Sequence, residues 1–329
     1  MVRHSDFKKA LNVLAFSGNI GELTELHEEA NSDSARNDIE SAILGAIDVC
    51  DRRGKTEDVV ALLENEDVRD SVLIKALGFC WKNGSIKPIA DFIEYRSLSS
   101  ELAKEAESAL LNAIFVCENR DDIDDIADLL EKDDMSDAVI VRVLEICGKD
   151  GRIKQISDYI NLNNLSETMA KAAESALLAG IDFCARRSKT EDITDVLDNC
   201  QSETVIVKLL DTLGDEGEVD RIVGFIDVNS LSDKVKTAAN AALLKGLDVC
   251  ESTRKPYSSD DLLESDDVSD EVKDRVTGAL VEEDPKTVIS RYLEKDKGTL
   301  SKGTVKPPRD GGSRHAEANK CPGKGKMPT

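Results

Sequence analysis

The sequence predicts an all-α protein, a right-handed α-solenoid of about nine helical hairpins arranged as 66–67-residue double repeats. Three observations carry this expectation. The segments SAILGAIDVC, SALLNAIFVC, SALLAGIDFC and AALLKGLDVC end at Cys50, Cys117, Cys184 and Cys250, at separations of 67, 67 and 66 residues. Such a period is the signature of stacked repeats: one helix pair cannot bury its apolar face alone, whereas a stack of copies buries it continuously. Within a segment the apolar residues recur at helical spacing, as in Leu110, Ala113, Ile114 and Cys117, which gives one face for burial. Of the 329 residues 40% are hydrophobic but only 4% aromatic, with seven prolines, so an aliphatic core in helical company is expected.

Residues 1–38 read as the second half of a missing unit, because Gly18 lies 66 residues before Gly84. Four units follow, 39–106, 107–173, 174–239 and 240–296. In each of the first three, the Cys-terminated helix leads through a polar turn (DRRGKTED, ENRDDIDD, ARRSKTED) into a short apolar-periodic helix (VVALLE, IADLLE, ITDVLD), and the second half repeats the plan. Gly84, Gly151 and Gly217, spaced by 67 and 66, stand just past helix ends, where a left-handed cap favours glycine. Ser99, Ser166 and Ser232 keep the same spacing at N-cap positions. Glu57 and Asp58, Asp121 and Asp122, and Glu191 and Asp192 are expected at the starts of second helices, with Arg52, Arg53, Arg186 and Arg187 at the preceding helix ends, both as the helix dipole favours. The last unit loses apolar content after Pro256 and replaces the turn glycine with Glu283-Asp284-Pro285, as the polar end of a capped stack requires. The tail 297–329 is rich in Gly, Pro and Lys and is expected to be disordered. It reads either as a solubilising terminus or as a basic tether that folds back on the acidic body or engages an acidic partner.

Ala76 to Ile89 shows best the alternating pattern ALG-x-x-x-x-x-G-x-I-x-x-I. This pattern resembles the HEAT-like repeat family, in particular the short kind found in phycobilisome lyase-type HEAT proteins, over about Phe7 to Leu293. The resemblance implies an α-solenoid and leaves activity open. The proline and the Asp-Arg dipeptide often seen in such repeats are not regular here.

Charge separates body from tail. The chain has 43 Lys plus Arg and 66 Asp plus Glu, a net charge of -23; residues 297–329 hold eight basic and two acidic residues, leaving the body at -29. Such a body repels phosphate backbones and anionic lipid, so direct nucleic-acid binding by the body is not expected, and it attracts a basic partner in a salt-dependent way. Plain solubility is the competing account of the acidity. The N-terminal stretch is broken by charges and a Ser-Gly-Asn turn, and no long window is free of charge; a soluble cytoplasmic protein with no membrane segment is the expectation.

The recurring cysteines invite a redox or metal reading, but equivalent positions separated by two helix pairs at about 8–10 Å per helix lie too far apart for a disulfide or one zinc ion. Cys50, Cys80, Cys117, Cys147, Cys184 and Cys250 are therefore expected as small core residues, and Cys321 as an exposed thiol. Among relatives that the resemblance implies, deoxyhypusine hydroxylase-like proteins hold two irons on repeated His-Glu pairs. This chain has three histidines, His4, His27 and His315, and one such pair, His27-Glu28. HEAT-like DNA glycosylases need a basic groove, which the acidity opposes, and nothing in the residues supports a bilin lyase-like activity. Phosphate loops, nucleophile elbows and H-E-x-x-H are all missing. No catalytic, cofactor-binding or metal-binding residue is expected, and the chain reads as a non-enzyme.

The function expected is a protein–protein interaction scaffold or adaptor, working through the ridge of second helices or the loops of one edge, with a basic protein as the favoured partner. The alternative is an acidic polyanion mimic or chaperone that binds basic nucleic-acid-binding proteins, and a HEAT-like lyase is a third. Candidate contact residues are Asp48, Asp182 and Asp248, each two positions before a ladder cysteine with Phe115 as the exception, and Trp81 at a helix end. A solvated face for the carboxylates, and packing over the adjacent turn for Trp81, are the competing readings.

Overall fold

The computed structural model of the chain describes residues 4–282, with the side chains of residues 190 and 280–282 left aside. Among the described residues it is all helical: α1 (His4–Ser17), α2 (Ile20–Glu28), α3 (Asp33–Arg53), α4 (Glu57–Glu64), α5 (Asp70–Asn83), α6 (Ile86–Tyr95), α7 (Ser100–Arg120), α8 (Ile123–Ala127) with a 3-10 turn (Asp128–Glu131), α9 (Asp137–Asp150), α10 (Ile153–Leu162), α11 (Glu167–Arg186), α12 (Thr190–Asn199), α13 (Glu203–Asp215), α14 (Val219–Val228), α15 (Asp233–Thr253), α16 (Ser259–Glu264) and α17 (Asp270–Glu282). The chain divides into two compact units, residues 1–274 and 275–329. Of the second unit, only the end of α17 is described. Glu283-Asp284-Pro285, His315, Cys321 and the expected tail 297–329 lie outside the described residues.

Helices alternate between two layers in the first unit. The first helices α1, α3, α5, α7, α9, α11, α13 and α15 each pack on the next in chain order. The second helices α2, α4, α6, α8 with its 3-10 turn, α10, α12, α14 and α16 do the same on the other side. The core between them is aliphatic: Ile43, Leu73, Leu110, Leu144, Leu177, Leu210 and Leu243 are all fully buried. Burial of a Leu or Ile side chain stabilises by about 1.5–3 kcal/mol, and in this arrangement each helix depends on its neighbours for it.

The long first helices start earlier than the sequence similarity does. Ser32, Ser99, Ser166 and Ser232 are the N-caps of α3, α7, α11 and α15, each hydroxyl accepting from the backbone N–H three residues on. Residues 39, 107, 174 and 240, where the repeats become recognisable, lie inside these helices. At the C-terminal ends, Gly84 (φ 73°) and Gly151 (φ 77°) take the left-handed cap, as glycine permits.

One local expectation is corrected. Asp121 does not open a second helix: at φ 65° it is the left-handed cap of α7, occupying the place of Gly54 one repeat earlier, which aspartate tolerates better than most side chains. Asp122 is the N-cap position of α8, and the acids of that first turn are Asp124 and Asp125. Glu57 and Asp58, and Glu191 and Asp192, do sit in the first turns of α4 and α12.

Successive hairpins are joined by contacts that recur with the repeat. The Cys50 thiol donates to the Gly18 carbonyl at 3.5 Å, Cys117 to Gly84 at 3.2 Å, Cys184 to Gly151 at 3.3 Å and Cys250 to Gly217 at 3.3 Å. The ladder cysteines are thus buried, as expected, and also answer a carbonyl at the helix end of the previous hairpin, where intrahelical donors run out. Cations reinforce the same ends: Arg53 donates to the Ser17 carbonyl at 2.8 Å, Arg120 to Asn83 at 2.8 Å and Lys255 to Glu216 at 3.0 Å. Arg187, at the corresponding place after α11, stacks 4.5 Å over Phe183 instead. A further rung joins the Glu107 carboxylate to the Ser136 hydroxyl at 2.6 Å, Glu174 to Ser202 at 2.8 Å, and the Asn240 side chain to the Ser269 N–H at 2.7 Å.

Candidate partner-binding surface

The four residues singled out from the sequence do not form one site. Asp48 and Asp182 are exposed on α3 and α11, and each is held by a lysine of the next first helix, Asp48 by Lys75 at 2.7 Å and Asp182 by Lys208 at 2.7 Å. Asp248 is exposed at the same register of α15 and is likewise engaged within the protein. Phe115, the exception in α7, is 59% exposed. Trp81 is half-buried in the last turn of α5, at the register where α9 and α13 carry Gly148 and Gly214.

These pairs belong to a ladder that offsets most of the acidity of the first-helix layer. Lys8 meets Asp38 at 2.9 Å, Arg142 meets Glu118, and Lys245 meets Asp211 and Asp215 at 2.8 and 2.7 Å. The carboxylates of Asp211 and then Asp215 hydrogen-bond the Lys245 ammonium and raise its pKa. In the helices α1 to α15 of this layer there are 23 acidic and 17 basic residues.

The second-helix layer is different. Its helices α2 to α16, with the 3-10 turn, carry 22 Asp plus Glu and only three Lys plus Arg: Lys87, Lys154 and Arg221. Acids recur at the repeat spacing: Asp58, Asp125 and Asp192; Asp128, Asp195 and Asp261; Glu64, Glu131, Asp198 and Glu264. A few are compensated from loops and neighbours. Lys132 lies 2.7 Å from both Asp91 and Glu94, whose hydrogen bonds, Asp91 first, hold its pKa above the ordinary lysine range. Arg152 meets Asp124 at 2.5 Å, and Lys154 meets Asp195 at 3.5 Å. Glu64, Asp58, Asp125, Asp128, Glu131, Asp198 and Glu264 have no ion-pair partner among the described residues. Close-set uncompensated carboxylates sum to a negative potential that concentrates cations over this layer.

Two other features have a site-like geometry. A groove of about 140 Å³ lies between α10 and α12, lined by Lys154, Ser157, Asp158, Asp195, Val196, Asp198 and Asn199; ordinary ligand pockets are several hundred Å³. His27 is buried at 2% exposure with Nε2 3.2 Å from the Glu40 carboxylate, which Arg69 approaches at 3.4 Å. Its partner is thus Glu40 and not the adjacent Glu28, and Nδ1 has no hydrogen-bond partner.

Among the described residues no group of three or more His, Cys, Asp or Glu is placed to hold a metal ion, and no helix is long and apolar enough to cross a membrane. The seven described cysteines are free thiols. Sequence reasoning named acids of the first-helix layer and missed those of the second. The signal was present in VVALLE, IADLLE and ITDVLD, which contain acids and no base. Comparison with protein-family models, with curated proteins and with solved structures found no match.

Proposed function

We propose that the chain is an α-solenoid of HEAT-like hairpins that serves as a non-enzymatic scaffold or adaptor, meeting a basic partner protein through its second-helix layer. The observation that carries this reading is the partition of charge. Both layers hold nearly the same number of acids, but 17 bases offset those of one layer and three offset those of the other. If solubility were the whole purpose of the acidity, no layer would need to be favoured. Repulsion among clustered carboxylates destabilises the folded state, and a basic partner removes that repulsion on binding. Complementary charge of this kind speeds association and selects the partner.

The test is a pair of variants with equal change in charge. One carries Asp58→Asn, Asp125→Asn, Asp128→Asn and Glu191→Gln; the other carries Glu101→Gln, Asp137→Asn, Glu203→Gln and Asp233→Asn, all exposed positions of first helices. Proteins co-purifying with each from the native host are identified at low and high salt. The reading expects the first variant to lose a basic partner that the second retains. Equal retention by both, or equal loss, sinks it. Salt also separates the polyanion-mimic alternative, whose partner leaves completely at moderate ionic strength.

A further inference from the structure

The ends of the second helices form an edge with its own pattern. Taken in packing order, α4 ends on Glu64, α6 on Tyr95, the 3-10 turn on Glu131, α10 on Leu162, α12 on Asp198-Asn199, α14 on Val228 and α16 on Glu264. From α4 onward acidic and apolar ends alternate; α2, at the register of Tyr95, Leu162 and Val228, ends on Glu28. The ends are neighbours in space: Arg96, after α6, donates to the Asn65 carbonyl after α4 at 3.0 Å, Lys132 after the 3-10 turn reaches Glu94 of α6 at 2.7 Å, and Ser265 after α16 donates to Asp227 of α14 at 2.5 Å. Tyr95, Leu162 and Val228 are 76%, 85% and 78% exposed, half of the large apolar side chains so exposed among the described residues.

Both halves of the pattern run against stability. A helix C-terminus presents unsatisfied carbonyls and the negative end of the dipole, where a cation is favoured and a carboxylate is not. None of these seven helices has a basic residue in its own last turn. From the loops that follow, Arg96 answers the carbonyls of Leu63, Asn65 and Glu66 at the α4 end and Lys132 pairs with Glu94 at the α6 end. The four terminal acids Glu64, Glu131, Asp198 and Glu264 have no ion-pair partner among the described residues. The first helices show that the chain does place cations at helix ends, as with Arg53 and Arg120. Between the acids, Leu162 and Val228 stand in water, and the Tyr95 ring is exposed with the Lys132 ammonium 5.5 Å from its centroid.

From this we infer that the edge is a docking ridge for an extended segment of a partner protein in which basic and apolar side chains alternate. Lys or Arg seats on the Glu131, Asp198 and Glu264 ends, where carboxylate, carbonyls and dipole act together, and on the Glu64 carboxylate beside Arg96, which already holds the α4 carbonyls; aliphatic or aromatic side chains cover Tyr95, Leu162 and Val228. Packed helices lie about 8–10 Å apart, and an extended polyproline II segment advances about 3.1 Å per residue with three residues per turn, so that every third side chain returns to the same face; the step from one end to the next takes roughly three residues. The segment recognised therefore has the form basic-x-x-apolar-x-x, repeated. This inference rests on the proposed basic partner and adds its conformation, its register and the place where it lies.

The test uses the full chain and fluorescently labelled synthetic peptides: three copies of Lys-Ser-Ser-Leu-Ser-Ser, a scrambled peptide of the same composition with its lysines and leucines in separate blocks, and a version with every Leu replaced by Ser. The alternating peptide is expected to bind tightest and to keep more of its affinity as salt is raised. Tyr95→Ser, Leu162→Ser and Val228→Ser together are expected to weaken it by about tenfold or more and to leave the Lys-Ser peptide unchanged. All three positions are exposed, so the variant folds, which its thermal melt verifies. Equal binding of alternating and scrambled peptides, or an unchanged affinity in the triple variant, overturns the ridge while leaving a charge-based partner intact. Failure of the Lys-containing peptides to bind at low salt sinks the basic-partner reading with it. A triple variant that changes only the sedimentation of the protein overturns the inference differently, by showing that the edge joins two copies of this chain.

Discussion

Gly148→Ala and Gly78→Ala are the same chemical change in two first helices, and opposite signs are expected. A Cβ at Gly148 would lie 2.5 Å from the Ala176 carbonyl oxygen and 3.1 Å from the Ala176 C and Cα. These are backbone atoms of the neighbouring α11, so nothing short of a shift of one helix relieves the overlap. Overpacking of this kind costs about 1–3 kcal/mol, and the gain from replacing a mid-helix glycine by alanine offsets only about 1 kcal/mol of it. At Gly78 in α5 no atom lies within 4 Å of the added Cβ, so the helix-propensity gain of about 1 kcal/mol stands alone. In a chain of this size each kcal/mol moves the melting temperature by about 1.5 °C. Urea and thermal unfolding followed by circular dichroism should show Gly148→Ala below the parent and Gly78→Ala above it. A Gly148→Ala protein as stable as Gly78→Ala would refute the close packing of α9 on α11.

Other outcomes follow from named contacts. Arg53→Ala removes the donors to the Ser17 and Phe16 carbonyls and is expected to cost about 1 kcal/mol, with amide exchange accelerated in α1 and not in α13. Burial pushes the thiols of Cys80 and Cys147 up to about 12 from 9.0. A raised thiol pKa means that the unfolded chain loses its proton first, so their contribution is whole below pH 9 and falls between 9 and 12, by up to about 1.4 kcal/mol per pH unit for each. Unfolding titrations of the parent should steepen over that window, and those of Cys80→Ala/Cys147→Ala should do so less. His27→Ala leaves Glu40, 8% exposed, with only the 3.4 Å approach of Arg69; losing the hydrogen bond to a buried carboxyl is expected to cost about 2 kcal/mol, and a variant within 0.5 kcal/mol of the parent, roughly the scatter of surface substitutions, would contradict a structural pairing.

The fold was legible where local chemistry repeats. The serine caps, the left-handed glycines and the cysteine ladder all follow from spacing, because each is fixed by a residue type that suits one backbone conformation or one buried volume. The start of α8 is hidden in the sequence because Asp121 takes the place of a glycine in a conformation that aspartate also tolerates, and the residues alone allow both readings. Asp48 and Asp182 read as unpaired on their own helices, whereas their partners Lys75 and Lys208 come from the next hairpin. Linear reading weighs a charge against its near neighbours in the chain and misses a base 26 or 27 residues away. The alternation of Glu64, Tyr95, Glu131, Leu162, Asp198, Val228 and Glu264 was hidden for the same reason: it exists only once the second helices are placed side by side.

Everything functional depends on the hairpins lying in chain order, so the distance that spans the most copies tests the account best. Spin labels on cysteines introduced at Asp48 and Asp248, with Cys321 replaced by serine, sit on α3 and α15, six helix-to-helix steps apart in the first layer. At about 8–10 Å per step their separation is expected at roughly 45–60 Å in a pulsed dipolar measurement. A distribution centred below about 30 Å, as in a globule of the same length whose radius of gyration is about 20 Å, would contradict the stacked arrangement and remove the ridge with it.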